Sequence, residues 1–357
     1  MKTIFHGKRI TGILSVVPET SVKFDDEVDN YSFPPKQTMR LKKVMGYEQH
    51  RIVKESTATS DFCIYGLEYL LNQGWIKKEE IGGLIVATSV PDHFVPPVSS
   101  IIHGKFDLDP EVYCVDISQG CTAFLMGLIE AFMLLNQLPN KKMIVFASDV
   151  LSKKTSKHDR NSYPLVGDAC GIAVVENDPS AGDIHAIVRN RGDLKGVLTI
   201  PAGGSRLACS PDTAVMTDFE GDGNFRSLDN LSMKGSEVFV FAQTEVPPLV
   251  NDTLEFAGIN KEDIELFLLH QPNRFMLRKL AERIGVPYEK VPMNLVENFG
   301  NSSGACIPLN ISFNYPQLMK DKVTKCILCA FGSGLTWGAL TIELGELDFC
   351  EMLQSNL

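Results

Sequence analysis

The sequence predicts an α/β protein, because short apolar strand-like runs alternate with helix-like segments along its 357 residues. Strand candidates are residues 84–88, 112–117 and 143–147, and helix candidates are residues 59–73 and 121–135. Hydrophobic residues make up 44% of the chain, which is enough for one large domain or for two fused halves with a sizeable core.

An internal repeat supports the second arrangement. Residues 80–87 are similar to residues 263–270, and residues 143–147 are similar to residues 326–330. Both pairs are offset by 183 residues (81 to 264 and 143 to 326). Chance similarity between apolar strands does not readily give the same offset twice, so we interpret the chain as a duplicated strand–helix unit.

The predicted boundary between the two halves lies in the turn-rich stretch 177–182. We therefore expect an N-terminal half at residues 1–180 and a C-terminal half at residues 181–357. Residues 202–236 are rich in Gly, Ser, Asp and Asn, which predicts a loop excursion, either at the mouth of a site or as an inert surface insertion.

Composition and charge argue against several classes of protein. A net charge of −10 disfavours nucleic-acid binding, which needs clustered cations. We expect no membrane association and a cytoplasmic protein, since no apolar stretch has the length of a membrane span or a signal peptide. The nine cysteines are scattered, and Cys326 and Cys329 lie three apart in a strand-like run, where side chains point to opposite faces. The sequence thus predicts no metal site there.

Cys121 is the first candidate for catalysis. It follows the strand candidate 112–117 and a tight Ser118-Gln119-Gly120 turn, and an apolar helix candidate begins with it. The positive end of a helix dipole favours a thiolate, which suits covalent acyl transfer. A cysteine in this position can equally serve only in packing, and this feature alone does not choose between the two.

His270 and Asn301 are the candidates from the second half. A histidine where a strand meets a loop can donate into a cleft, although a lone histidine is more often a satisfied core residue. An amide after Gly300 can stabilise an oxyanion at any pH, or simply cap the next helix. The duplication places the Cys121 and Asn301 turns at equivalent helix starts, with His270 at a strand end between the halves. We therefore expect the three side chains to meet in one pocket.

Three motifs, in this order along the chain, are the most specific features of the sequence: His270-Gln271-Pro272-Asn273, Gly300-Asn301-Ser302-Ser303 and the Phe-Gly-Ser-Gly-Leu-Thr-Trp-Gly run at 331–338. Supporting stretches lie at residues 45–52, 87–92, 116–121, 167–171 and 235–239. Together they resemble the β-ketoacyl-acyl carrier protein synthase III family of the thiolase superfamily, from about Arg9 to Leu344. The resemblance implies a thiolase-like, five-layered αβαβα fold with two pseudo-duplicated halves, and a homodimer.

The resemblance also implies a reaction. Cys121 would accept an acyl group from a thioester, and His270 and Asn301 would hold malonyl-acyl carrier protein during decarboxylative condensation, the first step of fatty acid synthesis. Backbone N–H groups of Cys121 and Ser333 would form the oxyanion hole. Coenzyme A and acyl carrier protein thioesters would be substrates, and no metal or redox cofactor would be needed.

Further binding positions follow from the same resemblance. Arg160 and Asn273 match substrate- or coenzyme-binding positions of the family. Arg274 and Arg278 share one helical face with Lys279 beside them, and this basic face could receive an acidic carrier protein or simply be solvated.

Two departures from the family pattern concern the substrate. Ser333 replaces a glycine, and Val44 replaces an arginine that helps to hold coenzyme A. One alternative function is therefore a specialised homologue that primes a polyketide-like pathway or transfers acyl groups without decarboxylation. An alternative of another class is a non-catalytic partner subunit, which the intact set of Cys121, His270 and Asn301 disfavours.

Overall fold

Two mixed β-sheets form the frame of the molecule, and the computed structural model describes all 357 residues. The strands are β1 (Lys2–Phe5), β2 (Lys8–Pro18), β3 (Ser21–Lys23), β4 (Gln49–Arg51), β5 (Ile81–Thr88), β6 (Tyr113–Ser118), β7 (Lys142–Asp149), β8 (Ala169–Asn177), β9 (Ile184–Asn190), β10 (Leu198–Thr199), β11 (Ser232–Met233), β12 (Leu266–Leu269), β13 (Thr324–Gly332), β14 (Thr336–Leu344) and β15 (Phe349–Ser355). The helices are α1 (Pro35–Met45), α2 (Thr59–Asn72), α3 (Val98–Phe106), α4 (Ala123–Leu134), α5 (Gly235–Ala257), α6 (Arg274–Ile284), α7 (Leu295–Phe299), α8 (Cys306–Asn314) and α9 (Pro316–Asp321).

The two sheets repeat one topology, which confirms the predicted duplication. The first has the order β15-β2-β8-β7-β5-β6 and the second β1-β9-β14-β13-β12. In the first sheet, β2 pairs antiparallel with β8, β8 antiparallel with β7, and β7 parallel with β5. In the second sheet, β9 pairs antiparallel with β14, β14 antiparallel with β13, and β13 parallel with β12. Helices α4 and α8 begin at Ala123 and Cys306, again 183 residues apart.

The terminal strands cross between the sheets. β1 pairs with β9 in the second sheet, and β15 pairs with β2 in the first. Each end of the chain thus extends the sheet that the opposite half builds. The division at residues 180 and 181 stays a prediction.

Three apolar clusters hold five layers together: one lies between the two sheets, and one lies on the outer face of each sheet. Helices α2 and α3 cover the outer face of the first sheet through residues such as Phe62 and Ile102. α4 and α8 fill the space between the sheets, with Phe124 and Ile307 in the central cluster. The outer face of the second sheet is covered by α5 and α6. The predicted αβαβα architecture is confirmed.

The sequence of α4 explains its place in the middle layer. Eight of its twelve residues are buried, as expected for a helix packed between two sheets, whereas Met126, Glu130 and Met133 lie along one less buried side. Truncation of a buried aromatic such as Phe124 to alanine typically costs about 3–5 kcal/mol.

The alternation of side chains along β13 likewise determines the surroundings of two cysteines. Cys326 packs in the central cluster and Cys329 in the outer one, on opposite faces of β13. The two thiols therefore cannot hold one ion between them. None of the helices combines the length and the apolar character that crossing a membrane requires.

Candidate active site

Cys121 lies in the turn between β6 and α4. α4 begins at Ala123, two residues later than predicted, because Gly120 and Cys121 belong to a turn in which the Ala123 N–H bonds the Gly120 carbonyl at 2.8 Å. The end of β13 touches this turn: a Cβ on Gly332 would lie 2.6 Å from the Cβ of Cys121 and 3.1 Å from its sulfur. Only glycine at position 332 lets the strand approach the thiol this closely.

A third segment closes on the same turn. A Cβ on Gly304 would lie 2.5 Å from the Cβ of Ala123 and 2.9 Å from the Gly120 carbonyl oxygen. Gly304 follows the Gly300-Asn301-Ser302-Ser303 motif, so that loop packs directly against the start of α4.

His270 directly follows β12, and its N–H bonds the Cys329 carbonyl at 2.8 Å. The imidazole is 2% exposed and meets the ring of Phe331 edge-on at 5.4 Å. Burial lowers the pKa of His270 to about 3, and a contact with the backbone of Ser303 offsets this only in part. The ring is therefore neutral near pH 7, and its Nδ1 has no protein partner.

Asn301 is held by its backbone and oriented by its side chain. Its N–H bonds the Leu165 carbonyl at 2.6 Å, and its carbonyl accepts from Gly167 N–H at 3.0 Å. The side-chain Oδ1 accepts from Ser303 N–H at 3.0 Å and from the Cys306 thiol at 3.3 Å. Since these donors fix the oxygen, the Nδ2 amide is left to donate elsewhere.

The three candidates share one cavity of about 780 Å³, whose lining includes Cys121, His270 and Asn301. Apolar side chains from α1 and α6 line it further out, notably Leu41, Met45 and Phe275. A mostly apolar cavity with a few converging polar groups is the usual form of a small-molecule site.

The structure does not favour the thiolate that the sequence analysis expects at Cys121. Burial raises the pKa of its thiol to about 12, and the charge of Asp149 adds to the increase, whereas a hydrogen bond from Ser303 lowers it. Cys121 also lies before the cap of α4, Thr122, rather than in the first turn of the helix. The thiol must lose its proton as it reacts.

Asp149 and Ser303 are polar neighbours of the thiol that the sequence analysis missed. Asp149 ends β7 and accepts from the Thr88 hydroxyl at 2.9 Å and from Ser89 N–H at 2.7 Å. Burial raises the pKa of this carboxyl, although those donors oppose the shift. The sequence signal that could have identified Asp149 is a carboxylate at the end of a buried strand. That strand, β7, lies two positions from β6, the strand that precedes Cys121.

Two backbone amides near the thiol are unengaged. The N–H groups of Cys121 and Ser333 donate to no backbone carbonyl of the protein. Oxyanion holes consist of such free, preorganised donors. A serine in place of glycine at 333 leaves this backbone donor intact.

Arg160 and Asn273 both line the cavity, yet each also has a structural partner. The Arg160 guanidinium lies 3.3 Å from the centre of the Phe33 ring, and its Nη1 lies 3.4 Å from the Thr38 hydroxyl. Asn273 caps α6, because its Oδ1 accepts from Met276 N–H at 2.8 Å.

The basic face on α6 is partly neutralised. Arg274 pairs with Glu297 at 3.2 Å, and Lys279 pairs with Glu282 at 2.7 Å. Arg278 makes no salt bridge and is exposed, so it is the cation of this face most available to a partner.

The loop 202–236 lies at the mouth of the cavity. It contributes Glu220, Asp222, Arg226 and Met233 to the lining, and its end leads into α5. The loop is therefore part of the entrance, which settles the choice between a mouth element and an inert insertion.

A five-layered duplicated fold with a cysteine, a histidine and an asparagine around one cavity defines a condensing acyltransferase of the thiolase superfamily. Models of the family 3-oxoacyl-[acyl-carrier-protein] synthase III match residues 115–192, and its C-terminal domain matches residues 254–344. The chain is 31% identical over 304 residues to beta-ketoacyl-[acyl-carrier-protein] synthase III of Syntrophomonas wolfei, covering 84% of this chain and 87% of that one. It is 32% identical over 299 residues to the enzyme of the same name from Clostridium acetobutylicum, with 84% and 87% covered.

A solved structure agrees with these relatives. The 3-oxoacyl-(acyl-carrier protein) synthase of Burkholderia xenovorans LB400 superimposes with a TM-score of 0.91 at 28% identity, covering 99% of both chains. The chain belongs to the 3-oxoacyl-[acyl-carrier-protein] synthase III family and is an acyltransferase. This membership excludes a purely structural partner subunit.

Proposed function

We propose that the protein transfers an acyl group from a thioester to Cys121 and then condenses it with malonyl-acyl carrier protein, as the initiating step of fatty acid synthesis. The observation that carries the proposal is the single cavity lined by Cys121, His270 and Asn301. Each of the three comes from a different loop of the duplicated frame.

In the first step, the sulfur of Cys121 attacks the thioester carbonyl and the carrier leaves as a free thiol. The thiol of Cys121 has a pKa of about 12, so it needs a proton acceptor as the bond forms. His270 is neutral, and a neutral imidazole can take that proton and return it to the departing thiolate. The free N–H groups of Cys121 and Ser333 stabilise the oxyanion.

In the second step, the malonyl carboxylate leaves as carbon dioxide and its bonding electrons form an enolate. Asn301 Nδ2 is left to donate, because Oδ1 already accepts two hydrogen bonds. We propose that Asn301 and neutral His270 donate to the enolate oxygen, while the enolate carbon attacks the acyl carbonyl on Cys121. The bond from that carbonyl to the sulfur then breaks, and Cys121 leaves as a thiolate that takes up a proton from solvent. One such donor is typically worth about 3–4 kcal/mol.

The substrates supply all the chemistry that this reaction needs. Loss of carbon dioxide drives the condensation, so we propose no metal or redox cofactor and take coenzyme A or carrier thioesters as substrates. Arg160 and Asn273 would contact the phosphopantetheine arm in the cavity. Arg274, Arg278 and Lys279 would meet the acidic carrier protein.

A specialised acyl transfer is the second candidate, favoured by one observation. Val44, which stands at the position of a coenzyme-binding arginine in the family, is 45% exposed and offers no charge. A panel of malonyl-carrier and other acceptors separates the two candidates: carbon dioxide released in proportion to product supports condensation, and product without carbon dioxide supports simple acyl transfer.

The nucleophile is tested by intact mass after incubation with acyl donors. We expect one acyl adduct on the protein, lost in Cys121→Ala and retained in Cys209→Ala, since Cys209 is an exposed cysteine outside the cavity. An adduct that persists in Cys121→Ala would show that the nucleophile lies elsewhere.

A further inference from the structure

A buried histidine outside the cavity lies between two hydrogen-bond acceptors. His50 of β4 is 1% exposed, and its Nδ1 lies 2.5 Å from the Val166 carbonyl oxygen. Its Nε2 lies 3.1 Å from Oε1 of Glu27, a residue of the 3₁₀ helix Phe24–Asn30 that is itself buried. A neutral imidazole has one N–H and can donate to one of these oxygens, whereas an imidazolium donates to both. The geometry therefore fits a buried ion pair of protonated His50 and charged Glu27.

The groups that face this pair favour the charged ring. Burial on its own lowers the pKa of His50, but the hydrogen bond and charge of Glu27, the Val166 carbonyl and the charge of Asp168 together raise it. The ring of Tyr163 meets the imidazole edge-on at 5.3 Å, and burial raises the pKa of this phenol to about 12, so it carries no charge.

Two other groups near the pair do not compete for its charge. Burial, and then the charge of Glu27, raises the pKa of Tyr31, so this phenol also stays neutral. Arg51, next to His50 on the strand, donates from Nη1 to two backbone carbonyls at the end of β2. His50 is thus the cation that balances the buried Glu27 carboxylate.

The segment that His50 contacts also holds Asn301. Asn301 forms a parallel β-bridge with Val166: its N–H bonds the Leu165 carbonyl at 2.6 Å, and its carbonyl accepts from Gly167 N–H at 3.0 Å. The Val166 carbonyl lies between these two bonds and accepts from His50 instead. Three hydrogen bonds therefore fix this segment between β4 and the Asn301 loop.

His50 contacts the Asn301 loop directly as well. Gly300 has a φ of +76°, and a Cβ there would lie 2.9 Å from both the Cβ of His50 and the Gly167 nitrogen. Strand, segment and loop are thus in contact at the residue before Asn301. A displacement of His50 would shift the support of Asn301 from two sides.

Loss of the Nε2 proton would cause such a displacement. The ring would turn a lone pair toward the Glu27 carboxylate, and that carboxylate would stay buried without a cation, which costs free energy. The two side chains would separate, and the bond to Val166 would be strained or lost. A catalytic group that is misplaced by about 1 Å can lose about 10²-fold in rate.

We propose that His50 and Glu27 form a buried ion pair that positions Asn301 for condensation, and that condensation slows when the pair releases its shared proton to solvent. Neither residue lines the cavity, so His50 is a positioning residue. Acylation of Cys121 does not use Asn301 and does not depend on the pair. The inference rests on the proposed role of Asn301 in the second step.

The test measures both steps from about pH 6 to 10, with acylation followed by intact mass and condensation by carbon dioxide release from preformed acyl-enzyme and malonyl-acyl carrier protein. Condensation should be constant at low pH, where His50 is charged, and fall up to about 10²-fold as pH rises through the raised pKa of His50. Acylation should show no such fall. A condensation rate that follows the acylation profile throughout overturns the proposal.

Variants assign the fall to the pair. The amide of Glu27→Gln accepts from a charged ring and, when turned, donates to a neutral one, so this variant should condense without the fall at high pH. His50→Ala should lower condensation about 10²-fold at every pH and acylate normally. Asp183→Asn is the matched control, since His6 and Asp183 form another histidine–carboxylate pair, at 2.7 Å on the surface. A Glu27→Gln profile like that of wild type would show that another group causes the fall.

The protonation of His50 can be measured apart from activity. NMR of protein labelled with [¹⁵N]histidine, with the His50 signal assigned by its loss in His50→Ala, should show two protonated ring nitrogens near pH 7. A neutral ring overturns the ion pair whatever the rates. A wild type that is acylated but releases no carbon dioxide at any pH refutes the proposed function instead, and with it the role of Asn301 that the pair supports.

Discussion

At the scale of single residues, the site combines a protonated thiol with a neutral imidazole and an oriented carboxamide. Burial causes both pKa shifts, raising the pKa of Cys121 to about 12 and lowering that of His270 to about 3. Neither group is charged near pH 7. Proton transfer between them therefore creates charge only when the substrate is present to stabilise it.

The separate roles of the two donors give the first prediction. His270→Ala and Asn301→Ala should each lower the condensation rate by about 10²–10³-fold, the effect of removing one oxyanion donor. Asn301→Ala should leave acylation of Cys121 close to wild type, because Asn301 acts only on the malonyl unit. The measurement is carbon dioxide release beside intact mass, with the Cys209→Ala variant as the control. A double variant that still condenses at the wild-type rate would refute both assignments.

The buried imidazole gives a second prediction, on stability. The pKa of His270 falls from 6.5 to about 3 on folding, so between these values the unfolded chain binds a proton that the folded protein does not. Wild type should therefore lose about 3 kcal/mol of unfolding free energy from this group as pH falls from 6.5 to 4. His270→Asn should lose correspondingly less in denaturant titrations at the two pH values. Parallel losses in both proteins would contradict the shift.

The control for that comparison is internal. Burial raises the pKa of Asp168 to about 6, so this carboxyl favours the folded state increasingly as pH falls from 6 toward 3.8, which is the opposite sign. Asp168 is present in both proteins and cancels in the difference. The measured difference thus reports position 270.

At the scale of elements, the sequence predicted individual helices and strands better than the contacts between them. The α2 helix spans Thr59–Asn72 against the predicted 59–73, and β5, β6 and β7 each contain or overlap their predicted strands. These segments have strong local hydrophobic patterns. The contact of Gly332 with Cys121 joins residues far apart in sequence, and no local pattern of either residue reports it.

That contact gives the third prediction. Gly332→Ala should sharply reduce acylation, since the new methyl group would lie within 3.1 Å of the sulfur and 2.6 Å of the Cys121 Cβ. Overpacking of this kind typically costs about 1–3 kcal/mol of stability. Gly196→Ala is the matched control, because a Cβ there meets nothing within 4 Å. Acylation by Gly332→Ala at the control rate would show that the end of β13 can yield without displacing the thiol.

At the scale of the whole molecule, the duplication was visible in the sequence because both halves kept the same offset between strands. The exchange of β1 and β15 between the sheets was not, since an edge strand can extend either sheet with the same apolar alternation. The Phe33 contact with Arg160 was equally hidden, because it depends on how three loops pack at the mouth.

One edge of the molecule bears on its assembly. β6 is the free edge of the six-stranded sheet, and Tyr113 at its start is 43% exposed. The Asp116 carboxylate of β6 accepts from Val98 and Ser99 N–H, which ties the start of α3, and with it the segment that precedes the helix, to this edge. That segment presents Phe94 and Val95, with relative exposures of 82% and 81%. An unpaired edge strand beside exposed apolar side chains is typical of a protein–protein interface.

We therefore expect a homodimer formed through this edge. Sedimentation equilibrium should give twice the chain mass of 39.4 kDa at micromolar concentration. The double substitution of Phe94 and Val95 to aspartate should shift the protein to the monomer, because charges would be buried without partners. Val323→Asp, at another exposed valine, should leave the mass unchanged. A monomeric wild-type protein would refute the expected homodimer. A double variant that remains dimeric would place the interface on another surface.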